Sequence, residues 1–174
     1  MPPVLNFDPS QLDLTRVVAD QEAIRGVLPQ RFEMLQLNAV VHVDTDRELI
    51  AGYKDVRPDE FWVRGHMPGA PLLPGVLMCE AAAQLASFYI VKYSGLLDGR
   101  GFIGFGGMEN VRFRAPVRPG DRLVMVAKGL KLRRRQSVFN IQGFVGTTMA
   151  FHVDVIGVPM TAAQVTESAL AEEA

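Results

Sequence analysis

The stretch RGHMPGAPLLPGVLMCEAAAQLASFYIVKY, residues 64–93, decides how this chain is read. Gly65, Pro68, Gly69, Pro71, Pro74 and Gly75 fall within eleven residues and form a stiff loop. A segment apolar on nearly every side follows, with one carboxylate, Glu80, inside it. Pro74 suits the first helical position, where its missing N–H costs nothing, so a helix is expected from there to about Tyr93. A helix that is apolar all round must be surrounded. Something has to wrap it, and the rest of the chain is strand-like.

Upstream, residues 15–29 (TRVVADQEAIRGVLP) read as a short helix with Val17, Val18, Ile24, Val27 and Leu28 on its apolar side, stopped by Pro29. Residues 38–46 and 47–60 read as paired strands around the polar Asp44–Glu48 turn, the second ending at Pro58. From 98 to 160 the chain is strand after strand. Val111, Phe113 and Ala115 alternate with Arg112 and Arg114. PVRPGD is a turn, RLVMVAKGLKL is continuous enough to be buried on much of both faces, and Gly146 marks a tight turn. The expected class is α+β, a curved, mainly antiparallel sheet around one long apolar helix. Residues 1–21 read as an N-terminal arm, 22–160 as the domain, and 161–174 as a flexible Ala- and Glu-rich tail.

With 174 residues, 48% of them hydrophobic, and a net charge of −1, the chain has an ordinary globular composition. Overall charge points neither to nucleic acid nor to an anionic membrane. The start, MPPVLNFDPSQLDLTRVVAD, lacks a basic region followed by a long apolar run, and residues 72–91 are interrupted by Glu80 and Gln84. A soluble, cytoplasmic protein without membrane insertion is expected. Cys79 is the one cysteine and sits among apolar neighbours, which favours an inert buried thiol. The three histidines are scattered, so no metal-ligand cluster is expected. His42 and His152 alternate with apolar strand residues and read as surface histidines.

Four residues of the loop and helix make a candidate site. The amides at the helix start lack intrahelical partners and, with the helix dipole, can hold a carbonyl oxygen or oxyanion. Gly75, without a side chain, lets a substrate come close to its N–H. Glu80 has apolar neighbours and no Lys or Arg at helical spacing, and desolvation without a cation favours the protonated acid, the form a general acid needs. Gln84, four residues on, shares its helix face and can hold the carboxyl group. His66, on the proline-stiffened loop, is the natural base.

The segment GHMPGAPLLPGVLMCEAAAQ also resembles the signature of the bacterial (3R)-hydroxyacyl-[acyl-carrier-protein] dehydratases of fatty acid synthesis, which have the hotdog fold. The fixed positions agree except Met67, where that family usually has Phe. LPQRF (28–32) is similar to the family's Leu-Pro-His-Arg-Tyr, and GMENVRFRAPVRPGDRL (107–123) to its strand and turn after the helix. The resemblance covers roughly residues 22–157. It implies His66 and Glu80 as catalytic residues contributed by opposite subunits of a homodimer, and it allows a trimer of dimers. It implies that Gly75 binds the thioester carbonyl, that Gln84 orients the acid, and that Phe32 stands in a loop gating the acyl tunnel. No cofactor is implied beyond the phosphopantetheine arm of the acyl carrier protein that brings the substrate. Glu rather than Asp at position 80 resembles the simple dehydratase branch, not the isomerising one. Gln30 stands where the family has His, Phe32 where it has Tyr, and Glu33 where it has Pro.

The apolar strands around the helix are expected to line the acyl tunnel, with Phe88, Phe102, Ile103, Phe105 and Met149 as candidates. Residues 112–135 hold nine Arg or Lys and one acid, Asp121. They read either as solvated strand faces or as a dock for an acidic acyl carrier protein, Arg112 to Arg135. Nucleic acid is the weaker partner, because surface aromatics are not interleaved with the basic residues. Two rival functions are a hotdog acyl thioesterase, which would cleave the C–S bond with water, and a non-catalytic acyl-carrier-binding hotdog protein.

Overall fold

A computed structural model describes residues 3–97 and 101–161. Six antiparallel strands form one sheet in the order β1-β2-β4-β5-β6-β3. They are β1 (Ala39–Asp44), β2 (Leu49–Asp55), β3 (Phe102–Phe113), β4 (Arg122–Arg133), β5 (Gln136–Val145) and β6 (Thr148–Met160). The expected turns are where the sequence put them. Arg47 N–H donates to the Asp44 carboxylate, and Arg118 and Asp121 close the PVRPGD turn. Gly146, at φ 57°, joins β5 to β6 in the left-handed region that Gly enters without strain.

The helix α2 (Gly75–Tyr93) lies against one face of this sheet. Leu77, Met78, Ala81, Ala82, Leu85, Phe88 and Ile90 are buried there with Met125, Phe139, Ile141 and Phe151 of the sheet. Pro74 is the N-cap rather than the first helical residue, and Leu77 and Met78 N–H both return to its carbonyl. A proline cap has no side-chain acceptor, so nothing of its own covers the amides of Gly75 and Val76.

The helix expected over 15–29 is confined to α1 (Gln21–Arg25). Asp20 is the reason. Its side chain accepts from Ala23 N–H and fixes the helix start, while before it Val18 lies in a bend and Ala19 bridges Val40, both bonding the Val40 backbone. Val17 and Val18 are therefore about half exposed rather than on a buried helix face.

The N-terminal arm crosses the sheet's other face. Phe7, Leu12 and Leu14 pack on a second buried cluster that includes Val41, Leu49, Val126 and Phe144. Asn6 and Val4 bond Asn140 and Gln142 of β5. His42 is thus not a plain surface histidine: Phe7 stacks on it at 5.5 Å, and its Nε2 is buried. Of the tail expected over 161–174, Thr161 is exposed and outside any strand, and 162–174 lie outside the described residues.

β3 departs from its expected alternation. It is an edge strand with two bulges, and Phe105, Met108 and Phe113 are each roughly half exposed. No helix of the described residues is long and apolar enough to cross a membrane.

Candidate active site

His66 is held by its own loop. The loop begins at a buried anchor, where Lys54 Nζ meets Glu60 at 2.8 Å and Trp62 Nε1 donates to the same carboxylate at 3.0 Å. The Trp62 carbonyl then accepts His66 N–H at 2.7 Å. Met67 and Gly69, both at positive φ, turn the chain so that Leu72 comes back to His66. Leu72 N–H donates to the His66 carbonyl, and His66 Nδ1 lies 2.7 Å from the Leu72 carbonyl. A carbonyl only accepts, so Nδ1 carries the proton and the Nε2 lone pair is left to act as a base.

His66, Gly75 and Val76 line one concavity of about 520 Å³, with Pro74, Met78, Phe113 and Arg114. His66 and the bare helix start are thus brought together in one concavity. The need for glycine at 75 has a second cause that the sequence did not reveal. A Cβ there would lie 2.5 Å from the Phe113 ring, which covers the Cα.

Glu80 lines a different, much smaller cavity of about 50 Å³. Its walls are Gln30, Ala83, Ser87 and Ile90 on one side and Ile103, Phe105 and Phe139 on the other. The helix explains the separation: five residues at 3.6 per turn put Glu80 roughly 140° round the axis from Gly75. Glu80 is half-buried rather than enclosed, and its Oε1 accepts from Gln84 Nε2 at 2.7 Å and from Gln30 Nε2 at 3.4 Å. Gln84 is fully buried. It also donates to the Met34 carbonyl at 2.6 Å and accepts from Gln36 N–H at 2.9 Å.

Other expectations need correction. Phe32 lines neither cavity; it is 89% exposed, at φ 51°, beside a separate polar cleft with Phe61, Lys54 and Glu60. Among the candidate tunnel residues, Ile103 and Phe105 line the Glu80 cavity. Phe88, on α2, is central core, and Met149 packs on the outer cluster under the arm, on the sheet face away from α2. Gln30 is the residue that sequence reasoning left out of the acid's surroundings. Its one signal was that it replaces a histidine in the LPQRF segment.

The nine basic residues do not form one surface. β4 alone, Arg122–Arg133, separates its ends by about 36 Å at 3.3 Å per residue. Arg122 is paired with Asp55 and lies over the Tyr53 ring, and Lys128 is bound to the Arg47 carbonyl. Arg114 lines the His66 concavity, with Arg112 two residues before it in the chain, and Arg133 to Arg135 lie at the far hairpin. Arg114 Nε donates to His152 Nδ1 at 3.2 Å. Partial burial, then the Arg114 and Arg112 charges, hold the His152 imidazole below its ordinary pKa. Burial pushes the Cys79 thiol up to about 11, in keeping with an inert cysteine. Among the described residues, no three His, Cys, Asp or Glu side chains are grouped to hold a metal.

Comparison with known proteins agrees with this architecture. A family model for FabA-like domains matches residues 28–154. The 3-hydroxyacyl-[acyl-carrier-protein] dehydratase FabZ of Moorella thermoacetica is 38% identical over 132 residues, covering 75% of this chain and 90% of that protein. Its counterpart in Syntrophobacter fumaroxidans is 36% identical over 138 residues, covering 79% and 91%. Two solved structures share the fold at low identity. The dehydratase heterocomplex ApeI:P from Xenorhabdus doucetiae superposes with a TM-score of 0.69 at 15% identity, covering 83% of this chain and 95% of that one. Cj0977 from Campylobacter jejuni superposes with a TM-score of 0.58 at 17% identity, covering 80% and 89%.

Proposed function

The chain belongs to the FabA-like domain family, and from that membership we propose that it dehydrates (3R)-hydroxyacyl chains carried on an acyl carrier protein, giving trans-2-enoyl products for fatty acid synthesis. The observation that carries this reading is the tautomer lock on His66. It leaves Nε2 as a base in the concavity into which the amides of Gly75 and Val76 open. The thioester carbonyl accepts from the Gly75 amide, which stabilises enolate-like charge as His66 Nε2 takes the C2 proton. The C2–H electron pair becomes the C2–C3 double bond. The C3–O bond breaks, and its pair leaves with the oxygen, which takes a proton from Glu80 and departs as water. Protonated His66 and ionised Glu80 then exchange a proton through solvent to reset the site.

Within one chain the base and acid line cavities that share no residue. The reading therefore needs a homodimer in which His66 of one subunit works with Glu80 of the other. Ile103, Phe105 and Phe139 give the apolar wall beside Glu80, and the acyl chain leaves along it, which requires more room than the cavity of about 50 Å³ in one chain alone. The carrier's acidic surface meets Arg112 and Arg114 beside the His66 concavity, not the whole basic stretch.

The test is to incubate the protein with 3-hydroxyacyl thioesters on a carrier protein and on pantetheine alone, following both enoyl absorbance and free thiol. Absorbance without thiol is expected, with the carrier-borne substrate preferred and Arg114→Glu erasing that preference. Thiol release would instead make the protein a thioesterase. A flat response in both channels would leave a binding protein. A carrier preference untouched by Arg114→Glu would remove the docking site.

A further inference from the structure

Gln30 reaches the Glu80 cavity from a turn that is fixed independently of the helix. Arg31 folds back on that turn and donates to the carbonyls of Leu28 (2.6 Å), Gln30 (2.7 Å) and Arg25 (3.0 Å). The Gln30 carboxamide is thereby placed against Glu80. The two ends of that carboxamide are not equivalent. Nε2 points to Glu80 Oε1 at 3.4 Å, whereas Oε1 is buried and has no hydrogen-bond partner among the described residues. A buried acceptor left unpaired is unfavourable, and native structures satisfy such atoms with water or a ligand. The space beside it is about 50 Å³, lined on its polar side by Gln30, Glu80 and Ser87, which is enough for a hydroxyl group or a water.

Resting on the dehydratase reading, we infer that Gln30 is a substrate-contacting residue: its Oε1 accepts the hydrogen of the substrate's 3-hydroxyl while its Nε2 steadies Glu80. The reacting oxygen then has both of its needs met in one place. It receives the proton of Glu80 as the C3–O bond breaks, and it keeps its original hydrogen, which it donates in a hydrogen bond to Gln30 Oε1. The water so formed sits between Gln30 Oε1 and the Glu80 carboxylate. In the hydration direction the same pair aims a water at C3. A neutral imidazole offers the same one donor and one acceptor as a carboxamide edge, so histidine is a chemically equivalent occupant of this position.

Gln30→Met keeps the length and removes both polar ends, Gln30→Ala does so without needing room, and Gln30→His restores a donor and an acceptor. The dehydration rate of each is compared with the inhibition constant of a saturated acyl thioester that lacks the 3-hydroxyl. Gln30→Met is expected to lower kcat/KM by about ten- to a hundredfold, the range for one strong hydrogen bond. It should leave the saturated inhibitor's affinity within about twofold, and Gln30→His should recover most of the rate. Should Gln30→Met fail to fold, Gln30→Ala carries the same expectations. A rate within about twofold of wild type, or a loss of affinity for the saturated inhibitor as large as the loss of rate, overturns the inference. Wild-type protein that does not dehydrate overturns the functional reading and this inference together. Dehydrating wild type with an equally active Gln30→Met overturns the role of Gln30 alone.

Discussion

Gln84 has every polar atom engaged: its amide oxygen with Gln36 N–H, and its amide nitrogen with both the Met34 carbonyl and Glu80. One buried side chain thus ties the acid to the 33–36 loop. Gln84→Leu keeps the bulk and strands a backbone donor, a backbone acceptor and the carboxyl group. At about 1–3 kcal/mol for each of the two buried backbone groups, with the half-buried carboxyl left to water, a loss of about 2–6 kcal/mol is expected. For a chain of this size that is a fall in Tm of about 5–20 °C by calorimetry, together with lost activity. A Tm within about 2 °C of wild type would show that Gln84 is not the tie. The Glu80–Gln84 half of this arrangement is legible in the sequence, because i and i+4 on one helix are neighbours whatever the fold. The half that reaches Met34, Gln36 and Gln30 is not, because about fifty residues separate those positions from the helix and only the fold brings them together.

At the scale of elements, α2 and its entry loop were readable because their signals are local: prolines, glycines, and a segment with no polar face. α1 was not, since the same apolar residues fit a longer helix until Asp20 is recognised as its cap. β3 misled for a different reason. Alternation shows which residues share a face, but not whether anything lies over that face, and the edge position leaves Phe113 about half exposed. Phe113 also makes Gly75 ambiguous, since glycine there serves both the ring above it and the approach of a substrate to the amide. A double substitution separates the two. Gly75→Ala is expected to lose both stability and activity, because its methyl meets the ring at 2.5 Å. Adding Phe113→Ala removes that clash, so thermal stability should rise again. If the open approach to the amide is what catalysis needs, dehydration should stay at least about tenfold down in the double variant. Recovery of activity along with stability would mean that Gly75 is there for Phe113.

At the scale of the whole molecule, one chain carries two separate cavities, each with one of the two proposed catalytic residues. His66 and the bare helix start open on one side of α2, Glu80 with Gln30 and Gln84 on the other, and no residue lines both cavities. The sequence spacing of fourteen residues between His66 and Glu80 carries no hint of this; it is the rotation of the helix that sets them apart. Edge strand β3, with Phe105, Met108 and Phe113 about half exposed, leaves an apolar margin for a second copy beside both cavities. A complementation experiment decides whether that copy completes the chemistry. His66→Ala and Glu80→Ala proteins are each expected to be inactive. Mixed in equal amounts and allowed to exchange subunits, half of the dimers become mixed, and each mixed dimer has one site with both an intact histidine and an intact glutamate. The mixture should therefore recover about a quarter of the wild-type rate per chain, rising as exchange proceeds and absent when the dimers are cross-linked before mixing. Activity that stays at the level of the separate variants after exchange has been demonstrated would mean that base and acid do not meet across subunits, and the dehydration chemistry assigned to them would fall with it.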